Sequence, residues 1–134
     1  MENKKLTWKH CLGIAVIVLL VIYFVIGFCF SKKFFWGTKI NGMNVAGKTA
    51  EEVVEIFNKK ASDYSLTIKE RKGKTETLTS DQIKVKFEGA DEIRQIKKDQ
   101  GSFGWIKGLF GSEHYDNVTM YSYDTKAFDK VYKK

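Results

Sequence analysis

The run Gly42-Met43-Asn44-Val45-Ala46-Gly47-Lys48-Thr49 fits the pattern G-x-x-x-x-G-K-[ST], in which glycine-rich backbone cradles the phosphates of a nucleoside triphosphate and a lysine reaches the β- and γ-phosphates. That chemistry needs supports elsewhere in the chain. A buried parallel strand must precede the first glycine, and an acidic residue at the end of a second apolar strand must hold the metal. Here the preceding residues are Gly37-Thr38-Lys39-Ile40-Asn41, polar and glycine-bearing, and no later apolar strand pattern ends in Asp. The expectation is a turn glycine, a short strand and a second glycine leading into a helix N-terminus, with no nucleotide as partner.

The remaining reactive residues are sparse. His10 lies in the tail before the apolar run, and His114, with no neighbouring ligand or nucleophile assigned, is expected to be a solvated loop residue. Glu51, Glu52 and Glu55 belong on the exposed, N-terminal side of a helix, where they favour its dipole. Asn117-Val118-Thr119 is a glycosylation sequon only in a glycosylating secretory pathway, and otherwise reads as a strand edge. Cys11 and Cys29 lie five full turns apart on one helix, about 27 Å along its axis, too far to pair. No cysteine follows Cys29, so the rest of the chain has no disulfide scaffold, thiol nucleophile or cysteine-based metal site. No catalytic residue, metal or cofactor is assigned.

The least ordinary polar-region stretch is Gln100-Gly101-Ser102-Phe103-Gly104-Trp105-Ile106-Lys107-Gly108-Leu109-Phe110-Gly111, which combines four glycines with three aromatics. Such a segment presents Phe103 and Trp105 either as stacking surfaces for sugar or lipid, or as a lid buried on a small core. Gln100, Phe103 and Trp105 are the candidate ligand-binding residues.

These residues sit in a chain of 134, room for about one domain. Cys11 to Phe30 is a run of 20 residues without a charged side chain. As a helix it is about 30 Å long, the hydrocarbon thickness of a bilayer. A cleaved signal peptide would end in small residues around the cut, whereas Gly27-Phe28-Cys29-Phe30-Ser31-Lys32-Lys33 ends in aromatics, which favours an uncleaved anchor. The net charge of +7 divides into +2 for residues 1–10, +2 for Lys32 and Lys33, and +3 for residues 34–134. More than half of the excess therefore flanks the apolar run, where lysines meet lipid headgroups, and the balance argues against nucleic acid as a partner. The expected division is a cytoplasmic tail over 1–10, a transmembrane signal anchor over 11–30 that meets the lipid bilayer, and an extracytoplasmic domain over 31–134. The short tail sets this orientation, since the lysines on the two sides nearly balance.

Beyond the anchor the pattern is α+β, a small mixed domain. Phe34 to Asn44 reads as extended, with an Asn41-Gly42 hairpin turn. Thr49 is placed as an N-cap with Glu52 three residues on, and Ala50, Val53, Val54, Phe57 and Ala61 share one face of the helix that follows. Tyr64, Leu66 and Ile68 alternate, Lys72-Gly73-Lys74 turns the chain, and Thr75 to Thr79 runs back as a hairpin. Ile83, Val85 and Phe87 alternate again, and Ala90, Ile93 and Ile96 return to helical spacing through Gln100. Val118 to Tyr123 is a final strand, and Asp124-Thr125 starts a helix with Phe128, Val131 and Tyr132 as its apolar positions. That helix runs into Lys133-Lys134 in mid-pattern, so the domain is expected to be incomplete at its C-terminus and part of a longer protein.

The stretch from Phe35 to Thr49, Phe35-Trp36-Gly37-Thr38-Lys39-Ile40 running into the glycine-lysine-threonine motif and then an acidic amphipathic helix, resembles the opening of the peptidoglycan-binding domain of Gram-positive wall proteins. The Tyr64 to Ile68 strand, the Gln100 to Phe110 segment and the Tyr123-Asp124 helix start are similar to the same domain where it precedes an L,D-transpeptidase catalytic domain. The resemblance covers about 100 residues and rests on the order of short elements. It implies peptidoglycan as partner, a bacterial membrane location and a role in holding a wall-modifying module. Those transpeptidases attack a peptide carbonyl with a cysteine thiolate beside a histidine in a Ser-His-Gly-Cys type motif, and this chain has none. It is therefore expected to be no enzyme itself, whatever its full-length parent does. The alternative is a spacer or protein-interaction pedestal ahead of a VanW-type or other wall domain.

Overall fold

Leu, Ile and Val fill residues 12–26, and a helix satisfies the backbone polar groups of such an apolar run internally. In a computed structural model, which describes residues 7–69, 71, 73–116, 118 and 121–133, this stretch is α1 (Trp8–Cys29). It begins three residues before the charge-free run and is the one helix among the described residues long and apolar enough to cross a membrane. It ends where the Phe30 amide donates to the Ile26 carbonyl.

The chain enters the remaining fold at once. Lys33 forms a bridge with Thr49, the Phe34 amide donates to the Lys48 carbonyl, and the Gly47 amide donates back to Phe34. β1 (Lys39–Ile40) and β2 (Met43–Asn44) form the expected hairpin. Asn41 and Gly42 take φ of 45° and 78°, the paired positive values that a two-residue turn of this hand requires. The Asn41 side chain then acts as a ladder partner: its Nδ2 donates to the Val118 carbonyl and its Oδ1 accepts from the Val118 amide.

α2 (Ala50–Ser62) starts with the full capping box, Thr49 Oγ1 accepting from the Glu52 amide and Glu52 accepting from the Thr49 amide. Two orphan donors are thereby satisfied. Its buried residues Val53, Val54, Phe57 and Ala61 match the apolar face of the sequence. β3 (Ser65–Lys69) and β4 (Thr75–Thr79) pair antiparallel from Ser65 opposite Thr79 to Lys69 opposite Thr75. Ile83 does not belong to the strand that its alternation with Val85 and Phe87 suggests. A second capping box, Thr79 with Gln82, winds a turn of helix, α3 (Ser80–Ile83), and Lys84 ends it in the left-handed region at φ 51°. Only β5 (Lys86–Phe87) remains extended.

α4 (Ala90–Gln100) closes at Gly101 and carries Ile93 into the core. The segment after it is partly helical rather than all loop, with α5 (Trp105–Phe110) inside it. β6 (His114–Tyr115) runs parallel to β1 and completes a three-stranded sheet in the order β2-β1-β6. β7 (Tyr121–Ser122) pairs with β5; of the strand expected from Val118 to Tyr123, the end residues Val118 and Tyr123 are not extended ladder, and residues 119 and 120 lie outside the described residues. Asp124 caps α6 (Thr125–Tyr132) by accepting from the Lys126 and Ala127 amides. Asn117 and Thr119 of the sequon, and Lys72 of the hairpin turn, lie outside the described residues. The fold is thus mixed α/β, with six helices and three small sheets among the described residues.

Two apolar clusters hold these elements. The larger packs Phe34, Ile40, Val45, Val53, Phe57, Ile93 and Val118 between α2, α4 and the β1 sheet. The smaller joins Phe30, Phe35 and Trp105 and takes in Tyr23 and Ile26 of α1. It is the joint between the apolar helix and everything else.

Candidate functional site

The three residues expected to meet a ligand are all engaged within the fold. Gln100 ends α4 with its amide aimed at the sheet. Its Oε1 accepts from the Phe35 amide at 3.0 Å, and its Nε2 donates to Thr38 Oγ1 at 2.9 Å and to Glu113 Oε2 at 2.7 Å. Every polar atom of the side chain has a protein partner. The same Glu113 oxygen accepts from the Tyr115 hydroxyl at 3.0 Å. Burial first, and then this bond to a carboxylate, pushes the Tyr115 phenol up to about 12. Beside them the buried Lys97 donates to the Gly101 carbonyl at 2.8 Å and lies over the Phe35 ring at 5.1 Å. Burial holds its ammonium below the usual lysine range, and the Glu113 charge opposes that shift.

Trp105 is 8% exposed and forms part of the joint. Its ring lies 5.7 Å from Tyr23 and 6.0 Å edge-on to Trp36, and its indole Nε1 is buried without a partner. The ring has no open face on which a sugar could stack, so of the two duties considered for it the lid describes its position. Phe103 keeps half its surface exposed but stacks on Tyr23 and meets Phe24 edge-on, both residues of α1. The glycines of this segment serve close approach. A Cβ on Gly108 would collide with the Trp36 carbonyl oxygen, and one on Gly104 would lie 2.9 Å from the Phe35 ring. These absences let the start of α5 lie on the Phe35 ring and its middle on the Trp36 backbone.

The phosphate-loop pattern is occupied in the same manner. The amides of residues 45 to 49 donate in turn to Thr38 O, Asn44 Oδ1, Phe34 O, Val45 O and Glu52 Oε2. A phosphate cradle needs those amides convergent and free. His114 stands on strand β6 rather than in a loop, with its Nε2 2.8 Å from Ser112 Oγ. Among the described residues no group of three or more His, Cys, Asp or Glu is placed to hold a metal.

Open concave surfaces lie elsewhere, and one of them has a mostly apolar, tyrosine-bearing lining. A groove of about 330 Å³ is lined by Tyr64, Leu66, Ile83, Val85, Tyr121, Tyr123 and Phe128, from the start of β3, the end of α3, β7 and α6. Tyr64, Tyr121 and Tyr123 are each more than a third exposed, and Tyr123 packs against Phe128 with ring centres 6.1 Å apart. Burial raises the Tyr121 phenol above its ordinary value. The Ser122 hydroxyl turns away to donate to Glu88. Sequence reasoning assigned Tyr64 and Tyr123 only to strands. The available signal was the i, i+2 spacing of Tyr121 and Tyr123, which puts both on one face of an extended segment.

No family model, curated protein or solved structure matches this chain.

Proposed function

We propose that this is a single-pass bacterial membrane protein whose residues 31–134 form a non-catalytic extracytoplasmic domain. Its work is positional: it holds a binding surface, and whatever it is joined to, at a set place beside the membrane within the peptidoglycan layer. The observation that carries this reading is the joint. Phe30, Phe35 and Trp105 pack with Tyr23 and Ile26 of the apolar helix, and the chain is hydrogen-bonded into the domain from Lys33 onward, so no linker separates anchor from domain. A domain whose task needed free reach would be tethered through a polar linker.

Peptidoglycan is the proposed ligand, on the resemblance of Phe35 to Thr49 and the elements after it to wall-binding domains. Its proposed seat is the tyrosine groove, since Gln100 and Trp105 are engaged internally. Tyrosine rings give a sugar or peptide an apolar face and a hydroxyl together. Weak individual contacts suffice for a polymer held close by an anchor. The full chain in mild detergent is expected to sediment with purified sacculi at physiological salt. A Tyr64→Ala/Tyr123→Ala variant with unchanged circular dichroism should remain in the supernatant. Folded wild-type protein that stays in solution at low and physiological salt defeats direct binding. Sedimentation that fades with salt in both proteins is charge adhesion to anionic wall polymers.

A second reading has its own observation. The groove lining is mostly apolar, and the Ser122 hydroxyl is spent on Glu88, which suits a protein segment better than a glycan. On that reading the domain is a pedestal for another wall module, and the groove variant loses that partner instead.

A further inference from the structure

We infer that α5 and the residues before it form a collar that dips into the bilayer beside α1, with lipid covering Phe103, Ile106, Leu109 and Phe110. The inference rests on the reading of α1 as a membrane span and adds a second membrane contact that composition does not reveal.

Depth is fixed by what Phe103 touches. Its ring packs against Tyr23 and Phe24 and lies on Gly27, where a Cβ would come within 2.5 Å of it. Tyr23 stands six residues before the end of α1 at Cys29, about 9 Å inside that end along the axis. The segment therefore does not stop at the mouth of the span but reaches back alongside it. The main core closes around Phe34, Ile40 and Ile93 in a separate cluster.

The apolar side chains next to Phe103 are uncovered. Phe110 is 88% exposed, and Ile106 and Leu109 are exposed with it. They follow Trp105, whose ring lies against α1 at Tyr23, and Phe103 meets the exposed Phe24 of α1 edge-on. In water such a contiguous patch is a liability; beside a lipid-facing helix it is a continuous apolar surface. The flanking residues have interfacial chemistry. Trp36 is partly exposed, and Lys32, Lys33 and Lys107 have long stems that let their charge reach headgroups. Trp8 is exposed at the opposite end of α1, which gives the span an aromatic residue at both ends.

The test uses spin labels on the full chain, with Cys11 and Cys29 changed to Ser, in vesicles of phosphatidylethanolamine and phosphatidylglycerol. Single cysteines are placed by Leu109→Cys and Phe110→Cys, with Val18→Cys in the span, Lys33→Cys beside it and Glu55→Cys on the exposed face of α2 as references. The labels at 109 and 110 are expected to lose access to a water-soluble nickel relaxant and to gain access to oxygen, as at 18, while those at 33 and 55 do the reverse. If 109 and 110 behave like 33 while 18 stays in lipid, the collar is overturned and the span stands. If 18 is open to nickel, the span fails and the collar with it. Dipolar broadening between labels at 110 would put a second copy of the chain on the patch and overturn lipid as its cover. Both labelled positions are exposed, so the substitutions remove no core packing.

Discussion

The Tyr23 hydroxyl donates to the Phe103 carbonyl at 3.0 Å while the two rings stack with centres 5.9 Å apart, joining residues 80 positions apart in the chain. Either contact alone would be modest. Together with the Trp105 ring, 5.7 Å from that of Tyr23, they fix where the Gln100 to Gly111 segment sits against the helix.

Gly27 is the position on which this contact depends. Gly27→Ala puts a methyl into the Phe103 ring and is expected to destabilise the folded domain by about 1 to 3 kcal/mol, the usual cost of overpacking. Gly13→Ala meets nothing within 4 Å and should be neutral or slightly favourable. Denaturant unfolding in micelles, followed by tryptophan emission, compares them. Equal midpoints for the two variants would remove the packing argument.

Trp105 separates burial from ligand contact. Trp105→Ala should cost about 3 to 5 kcal/mol, enough to unfold much of a domain this small. Trp105→Phe should cost far less, because the indole N–H has no partner to lose. A folded Trp105→Ala variant with unchanged stability would show the ring to be dispensable to the joint.

Tyr115 sets an alkaline limit. An unfolded tyrosine titrates near 10, and the folded one is pushed up to about 12. As pH rises between these values the unfolded state releases the proton first, so stability that is present below about pH 10 is lost through about pH 12. Lys97 acts in the opposite sense. Its folded ammonium is the stronger acid, so the unfolded state holds the proton longer and stability rises with pH up to the ordinary lysine value. The difference between wild type and Tyr115→Phe isolates the tyrosine. Unfolding midpoints that run parallel from pH 9 to about 12 would contradict the assignment.

Lys48 is expected to have no special duty. Lys48→Ala should change stability by no more than about 0.5 kcal/mol, and ATP with magnesium should leave the melting temperature in place. A magnesium-dependent shift with ATP that disappears in Lys48→Ala would restore the nucleotide reading.

The elements that sequence reasoning located are those whose determinants are local. Thr49 and Glu52 cap α2 within one turn, Asn41-Gly42 turns its hairpin by its own backbone preferences, and Asp124 starts α6 through its own carboxylate. Where a local determinant was overlooked, the reading failed: the Thr79 and Gln82 box has the same form, and it turned Ile83 into helix. The glycine-lysine-threonine motif was legible as a turn and a helix start because the Asn41-Gly42 turn and the Thr49-Glu52 box act within a few residues. The joint was not legible. Gly27, Gly104 and Gly108 matter because of rings and backbone that reach them from far along the chain, and a glycine-rich stretch reads as loop until those neighbours are known. Gln100 was singled out for its company rather than its contacts, which come from Phe35, Thr38 and Glu113.

The passage from helix to domain without slack has a mechanical consequence. On the reading of α1 as a membrane span, its charge-free part, residues 11–29, is about 29 Å long, close to an average hydrocarbon layer, and in a thinner layer such a helix leans. The lean grows as the layer thins. With Lys33 already bridged to Thr49 and Phe35 packed beneath α5, a change of lean is passed on as a rotation of the whole domain. On that reading, the direction in which the tyrosine groove opens then follows the local thickness of the lipid.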